Sequence, residues 1–181
     1  MASYLDEALA LGATETGWLP MEKVRFLPEV RKMCEDNRCG CYGTTWSCPP
    51  GCGDLEACKQ KALSFDKAML FTYAVKMEDP FDYEAIQEGS KQLRRIGLEL
   101  REKMWKDAGV KRVLLSLPGR CAECETCQYP NPCAFPDRQY ASPEAMGMWV
   151  SEICGQAGVA YNNGKNTITY VGLVFFDLAQ D

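Results

Sequence analysis

The sequence predicts an α/β sandwich: a mixed, largely parallel sheet with two cysteine-rich metal-binding loops at one sheet edge. Three observations lead there. Apolar segments of strand length alternate with segments of helical period. Two cysteine-rich stretches each follow a strand candidate. A chain of 181 residues, 46% hydrophobic and 25% charged, suits one globular unit with its own core. Residues 1–181 are therefore read as a single α/β domain with cysteine-rich insertions at about 34–58 and 120–138.

"EKVRFL" (22–27) predicts a short strand ended by Pro28, and the Gly- and Pro-rich residues 34–52 predict loop. "DLEACKQKAL" (54–63) predicts a helix capped by Asp54. "KAMLFTYAVKM" (67–77) is mostly apolar, as a central strand must be. From Tyr83 to Ala108 a long helix is expected, with Ile86, Leu93, Leu100 and Met104 near helical spacing, Ile96 beside them and Gly109 as the stop. "KRVLLSL" (111–117) predicts a third strand leading into the second cysteine block. "SPEA" (142–145) predicts a helix start, with Ser142 as cap and Pro143 in the first turn, running to about Ala157 and closed by Gly158. "VAYNNGKNTITYVGLVFFD" predicts a hairpin with Asn163-Gly164 in its turn and Thr167 to Phe176 returning. If the strands before the two cysteine blocks are parallel, both blocks emerge at one sheet edge as neighbours.

Composition then restricts the chemistry. A net charge of −5 without a basic stripe argues against a nucleic-acid partner. No apolar run is long enough to span a membrane, and "MASYLDEALALG" lacks a basic leader, so a cytoplasmic protein is expected. Eleven cysteines, an odd number without a leader, fit a disulfide scaffold poorly. With no histidine, His-ligated zinc, a Cys–His pair and a Ser–His–Asp triad all drop out. Phosphate-loop, G-x-G-x-x-G and G-x-S-x-G motifs are also missing, so no nucleotide cofactor is indicated.

In "GRCAECETCQYPNPCAFPDR" (119–138), Cys121, Cys124, Cys127 and Cys133 form C-x2-C-x2-C-x5-C. Two-residue gaps let successive thiolates curl round one centre, close to the bacterial ferredoxin run, which favours a [4Fe–4S] cluster over zinc held by four cysteines. Cys133 serves either the near or the far cluster. The other set is Cys34, Cys39, Cys48 and one of Cys41, Cys52 or Cys58. Cys41, one residue from Cys39, points away in an extended backbone, whereas Cys58 near a helix N-terminus is a ready thiolate, so Cys58 is taken as the fourth ligand. Cys154, inside an amphipathic helix, reads as core.

The pattern C-x4-C-G-x-Y-G-x2-W-x-C-P-P, followed by C-x2-C-x2-C-x5-C-x2-P and "SPEAMGMWV", resembles the family of bacterial and archaeal predicted metal-binding proteins known as domain of unknown function 2284. The likeness runs from about Val24 to Phe176. It implies metal binding, iron–sulfur foremost, and names no reaction. Cys34, Cys39, Cys48, Cys121, Cys124, Cys127 and Cys133 fall on the family pattern, while Cys41 and Cys52 look like extras of this member.

Three functions remain. The first is electron transfer through two [4Fe–4S] clusters to a redox partner, with Arg120 and Arg138 flanking the clusters and raising their potentials, unless these arginines simply pair with Glu123, Glu125 or Asp137. The second is an enzyme whose three-cysteine cluster has an open iron acting as a Lewis acid on a small anionic or thio substrate. There Arg120 or Arg138 would clamp the anion, and Glu35, Asp36 or Tyr42 would move protons. The third is a structural zinc or metal-binding interaction protein. Trp46, Tyr42, Tyr129 and Phe135 interleave the cysteines, and covering the clusters from water is their expected role.

Overall fold

The protein, seen in a computed structural model, is described over residues 3–179; the first two residues of the opening segment lie outside the described ones. The segment's remainder forms α1 (Tyr4–Ala10), started by a capping box between Ser3 and Asp6. Strand β1 (Glu15–Trp18) follows, then α2 (Pro28–Glu35) and α3 (Leu55–Leu63). The Asp54 carboxylate accepts the Ala57 amide at 2.8 Å and fixes the start of α3. Next come β2 (Lys67–Lys76), α4 (Tyr83–Lys106), β3 (Val110–Ser116), α5 (Val150–Ala157) and β4 (Thr167–Leu178).

The sheet has the order β1-β2-β4-β3, and each neighbouring pair is antiparallel. This overturns the expected mixed, largely parallel sheet. Strands β2 and β3 do point the same way and are joined through α4, as the strand–helix–strand pattern implied. But β4 inserts between them, antiparallel to both, so the unit is a split βαβ in which no parallel pair forms. The register of β4 with β2 runs from Lys67 opposite Phe176 to Lys76 opposite Thr167.

Period-two alternation divides the core into two layers. Met69, Phe71, Leu115, Val174 and Phe176 face α1 and the Leu93–Ile96–Leu100–Met104 stripe of α4. Ala68, Leu70, Leu114, Leu173 and Phe175 face Cys58 and Ala62 of α3, Ile153 and Cys154 of α5, and Met146 and Met148. Gly97 lets α4 approach closely, because a Cβ there would lie 2.8 Å from Leu117 Cδ2 and 3.1 Å from Phe71 Cζ.

Three local expectations also change. Residues 22–27 are not a strand: Met21–Lys23 is a 3-10 turn, and Phe26 makes only an isolated bridge to Met148. Pro28 opens α2 instead of ending a strand, since the first helical position needs no amide donor. Ser142 does cap, accepting the Ala145 amide at 3.1 Å, but it caps a turn that Gly147 redirects at φ 86°; the helix begins only at Val150 and closes at Gly158. The predicted hairpin has no first arm, and β4 pairs with β2 and β3 instead.

Candidate metal centre

The first cysteine block grows from the end of α2, which carries Cys34 in its last turn, and then wraps through turns to α3. The second block follows β3 directly. The two blocks therefore do not emerge from parallel strands, yet they meet. The fully buried Ser47 Oγ accepts the Cys121 amide at 2.9 Å and lies 3.8 Å from Cys48 Sγ. The Trp46 indole donates to Asn131 O at 2.8 Å, and its ring meets Tyr129 edge-on at 5.0 Å. Gln139 Nε2 donates to Trp46 O, which secures the far end of the second block.

All eleven cysteines are free thiols. Their electrostatics divide them into groups. Burial pushes the Cys34 thiol up to about 11, with Glu144, Cys39 and Cys48 adding to the effect and Arg31 opposing it. Burial also raises Cys41, followed by Cys39 and Cys48, while Arg120 lowers it. Cys34, Cys39, Cys41 and Cys48 thus lie in one another's field. In the second block, desolvation raises Cys124, and Cys133, Cys127 and Glu123 add to it. Burial raises Cys121 against the amide of Glu123, with Cys124 a smaller contributor. Thiols that disfavour one another's charge form a donor set that a cation would relieve.

Cys58 packs against Cys52 and Arg31. Its thiol donates to Cys52 O at 3.4 Å, and Arg31 Nη1 lies 3.7 Å from Cys58 Sγ and 3.6 Å from Cys52 Sγ. Cys154 is fully buried in the core, and burial pushes it up to about 12. Among the described residues, no three Cys, Asp or Glu side chains converge closely enough to enclose a metal ion as they stand.

Arg120, next to the second block in sequence, lowers Cys41 of the first block. Arg138 forms ion pairs with Glu102 at 2.7 Å and Glu123 at 3.6 Å, and its guanidinium lies 5.4 Å from the Trp105 ring centre. The fully buried Arg101 joins them, donating to Glu123 at 2.7 Å and to Arg138 O at 2.9 Å. Sequence reasoning missed Arg31, Ser47 and Arg101. A serine immediately before a ligand-pattern cysteine, and an arginine three residues before another, were the only available signals.

The donor chemistry suits a sulfur-ligated metal. Both blocks offer thiols on turns rich in Gly and Pro, and the chain has no histidine to supply a nitrogen ligand. Among the described residues no helix is long and apolar enough to cross a membrane. A family model described as predicted metal-binding protein (DUF2284) matches residues 17–176. No curated protein and no solved structure matches the chain.

Proposed function

The chain belongs to the family of predicted metal-binding proteins (DUF2284), and from that premise we propose that it is an iron–sulfur protein holding two [4Fe–4S] clusters and passing electrons to a redox partner. The observation that carries this reading is the meeting of the two cysteine blocks at Ser47, whose hydroxyl accepts the Cys121 amide and lies beside Cys48 Sγ. Cys121, Cys124, Cys127 and Cys133 would hold one cluster. Cys34, Cys39 and Cys48 would hold the other, with Cys41 as the fourth ligand, because its neighbours are Cys39 and Cys48. Cys58, the fourth ligand expected from sequence, is the competing assignment, and the iron content of single variants separates the two.

When bound, each cluster supplies one-electron redox chemistry. The protein's own groups set its surroundings. Arg120 places positive charge beside the first quartet and stabilises added negative charge there. Arg138 is tied to Glu102 and Glu123, so it orders the second loop and contributes little net field. Trp46 and Tyr129 pack between the loops and exclude water. The two quartets, joined through one hydroxyl, form a short path for electrons.

Protein purified without oxygen should contain about eight irons and eight sulfides per chain, the content of two cubanes. Cys41→Ser should halve the iron, whereas Cys58→Ser should leave it unchanged; the reverse result moves the fourth ligand to Cys58. Colourless protein with stoichiometric zinc overturns the iron–sulfur reading. An electron paramagnetic resonance signal that shifts on adding a small carboxylate or thio-compound would replace electron transfer with the open-iron, Lewis-acid enzyme.

A further inference from the structure

We infer that Cys52 and Cys58 form a redox-active dithiol separate from the metal quartets, held by Arg31 and open through a cavity to a small disulfide. Nothing in this proposal depends on which metal the quartets bind.

Four observations converge on the pair. Both sulfurs lie against one guanidinium nitrogen, at 3.6 and 3.7 Å, and the Cys58 Sγ lies 3.4 Å from the Cys52 carbonyl. Arg31 cannot swing away, because Nη1 also donates to Ala145 O at 2.5 Å and Nη2 donates to Gly53 O. It is 6% exposed, and its Nε is buried without a partner among the described residues, so its charge is poorly solvated. A cavity of about 80 Å³ is lined by Cys52 and Cys58 together with Lys61, Gln139, Tyr140 and Met146.

A fixed arginine beside two sulfurs disfavours a cation and favours one thiolate. The neighbouring Cys52 and then Arg31 lower the Cys58 thiol to about 6, while the neighbouring Cys58 and burial raise Cys52. Cys58 is therefore the thiol that gives up its proton first, and Cys52 keeps its own. This distribution suits exchange with an external disulfide RSSR. The Cys58 thiolate attacks one sulfur, forming a mixed disulfide and releasing RS⁻. The Cys52 proton passes to that RS⁻, giving RSH, and Cys52 Sγ then displaces the second RS⁻. The products are the Cys52–Cys58 disulfide, one RSH and one RS⁻; the protein is oxidised by two electrons and RSSR is reduced by two. A dithiol substrate or partner reverses the sequence.

The test uses anaerobic, metal-loaded protein equilibrated with oxidised and reduced glutathione at varied ratios, then alkylated and mapped by mass spectrometry. The expected result is a Cys52–Cys58 disulfide that forms and reverses with the ratio, with iron content unchanged. Cys58→Ser should abolish it and retain all the iron. Arg31→Gln removes the charge that stabilises the thiolate and should move the midpoint toward the disulfide by about tenfold, the equivalent of one pKa unit. Two separately alkylated thiols at every ratio would overturn the proposal. So would loss of iron in Cys58→Ser matching that in Cys34→Ser, a result that would leave the metal reading standing. Zinc in place of iron, with the disulfide intact, would overturn the metal reading alone.

Discussion

Ser47 Oγ links the two cysteine blocks, accepting from the Cys121 amide and lying beside Cys48 Sγ. Because Ser47 is fully buried, removing the hydroxyl strands the Cys121 amide and the Thr45 hydroxyl that meets it at 3.1 Å. An unsatisfied buried polar group costs about 1–3 kcal/mol, so Ser47→Ala should lower the stability read from urea unfolding by that amount at unchanged slope. It should also loosen residues 119–124, which hydrogen exchange would detect as faster amides there. The cysteines themselves were legible in sequence, because spacing is a local property. Arg31 was not: it sits in "PEVRKMCE" like any solvent-facing residue of an amphipathic helix, and its carbonyl partners are 22 and 114 positions away. Burial of a charged residue is decided by what folds over it. For the same reason Arg101 reads as an ordinary charged position within α4, although it is 2% exposed against Glu123.

At the scale of elements, legibility follows how local the determining signal is. Helix α3 was readable because Asp54 caps it from the next residue, and α4 because its apolar stripe repeats over 24 residues. The stretch 142–149 misled because a Ser-Pro start fits a single capped turn as well as a helix, and Gly147 at positive φ ends the choice. The contact of α4 with the sheet depends on Gly97. A valine there would gain intrinsic helix propensity, but it would press against Leu117 and Phe71, and overpacking a filled core costs about 1–3 kcal/mol. Gly97→Val should therefore be destabilising by thermal melting despite the better helix former. Near the end of β4, burial pushes the Asp177 carboxyl up, yet Arg112 and the Asp66 amide, the latter at 2.8 Å, outweigh it and hold the group below the usual carboxylate range. A carboxyl depressed in the folded state stabilises above its unfolded pKa, about 3.9, and that stability is lost as pH falls through the folded value. Asp177→Asn should accordingly lower the denaturation midpoint at pH 7 and leave a shallower acid limb between about pH 5 and 2 than in the parent protein.

For the whole molecule, the decisive fact was which strand lies beside which, and no sequence window carries it. Alternating strand and helix gave β2, α4 and β3 in order, but the placement of β4 between the two strands depends on a pairing about 100 positions long in sequence. What the topology does establish is a sheet packed on both faces, with Leu93, Ile96, Leu100 and Met104 on one side and Cys58, Ala62, Ile153 and Cys154 on the other. No quartet cysteine is among the fully buried residues of either layer, and only Cys121 packs against one of them. The loops are different: burial and then neighbouring thiols raise Cys34 and Cys124, and the backbone runs through turns, so the loops lose stabilising contacts when a bound metal is withdrawn. Stripping the metal anaerobically with a chelator should therefore produce local, not global, opening. Hydrogen exchange should accelerate strongly over 34–52 and 119–138, while amides of β2 and β4 change by less than about tenfold, equivalent to about 1.4 kcal/mol. Far-ultraviolet circular dichroism should barely move. Uniform acceleration across the sheet would mean instead that the metal holds the fold itself, as in small zinc modules, and would count against a core that stands on its own.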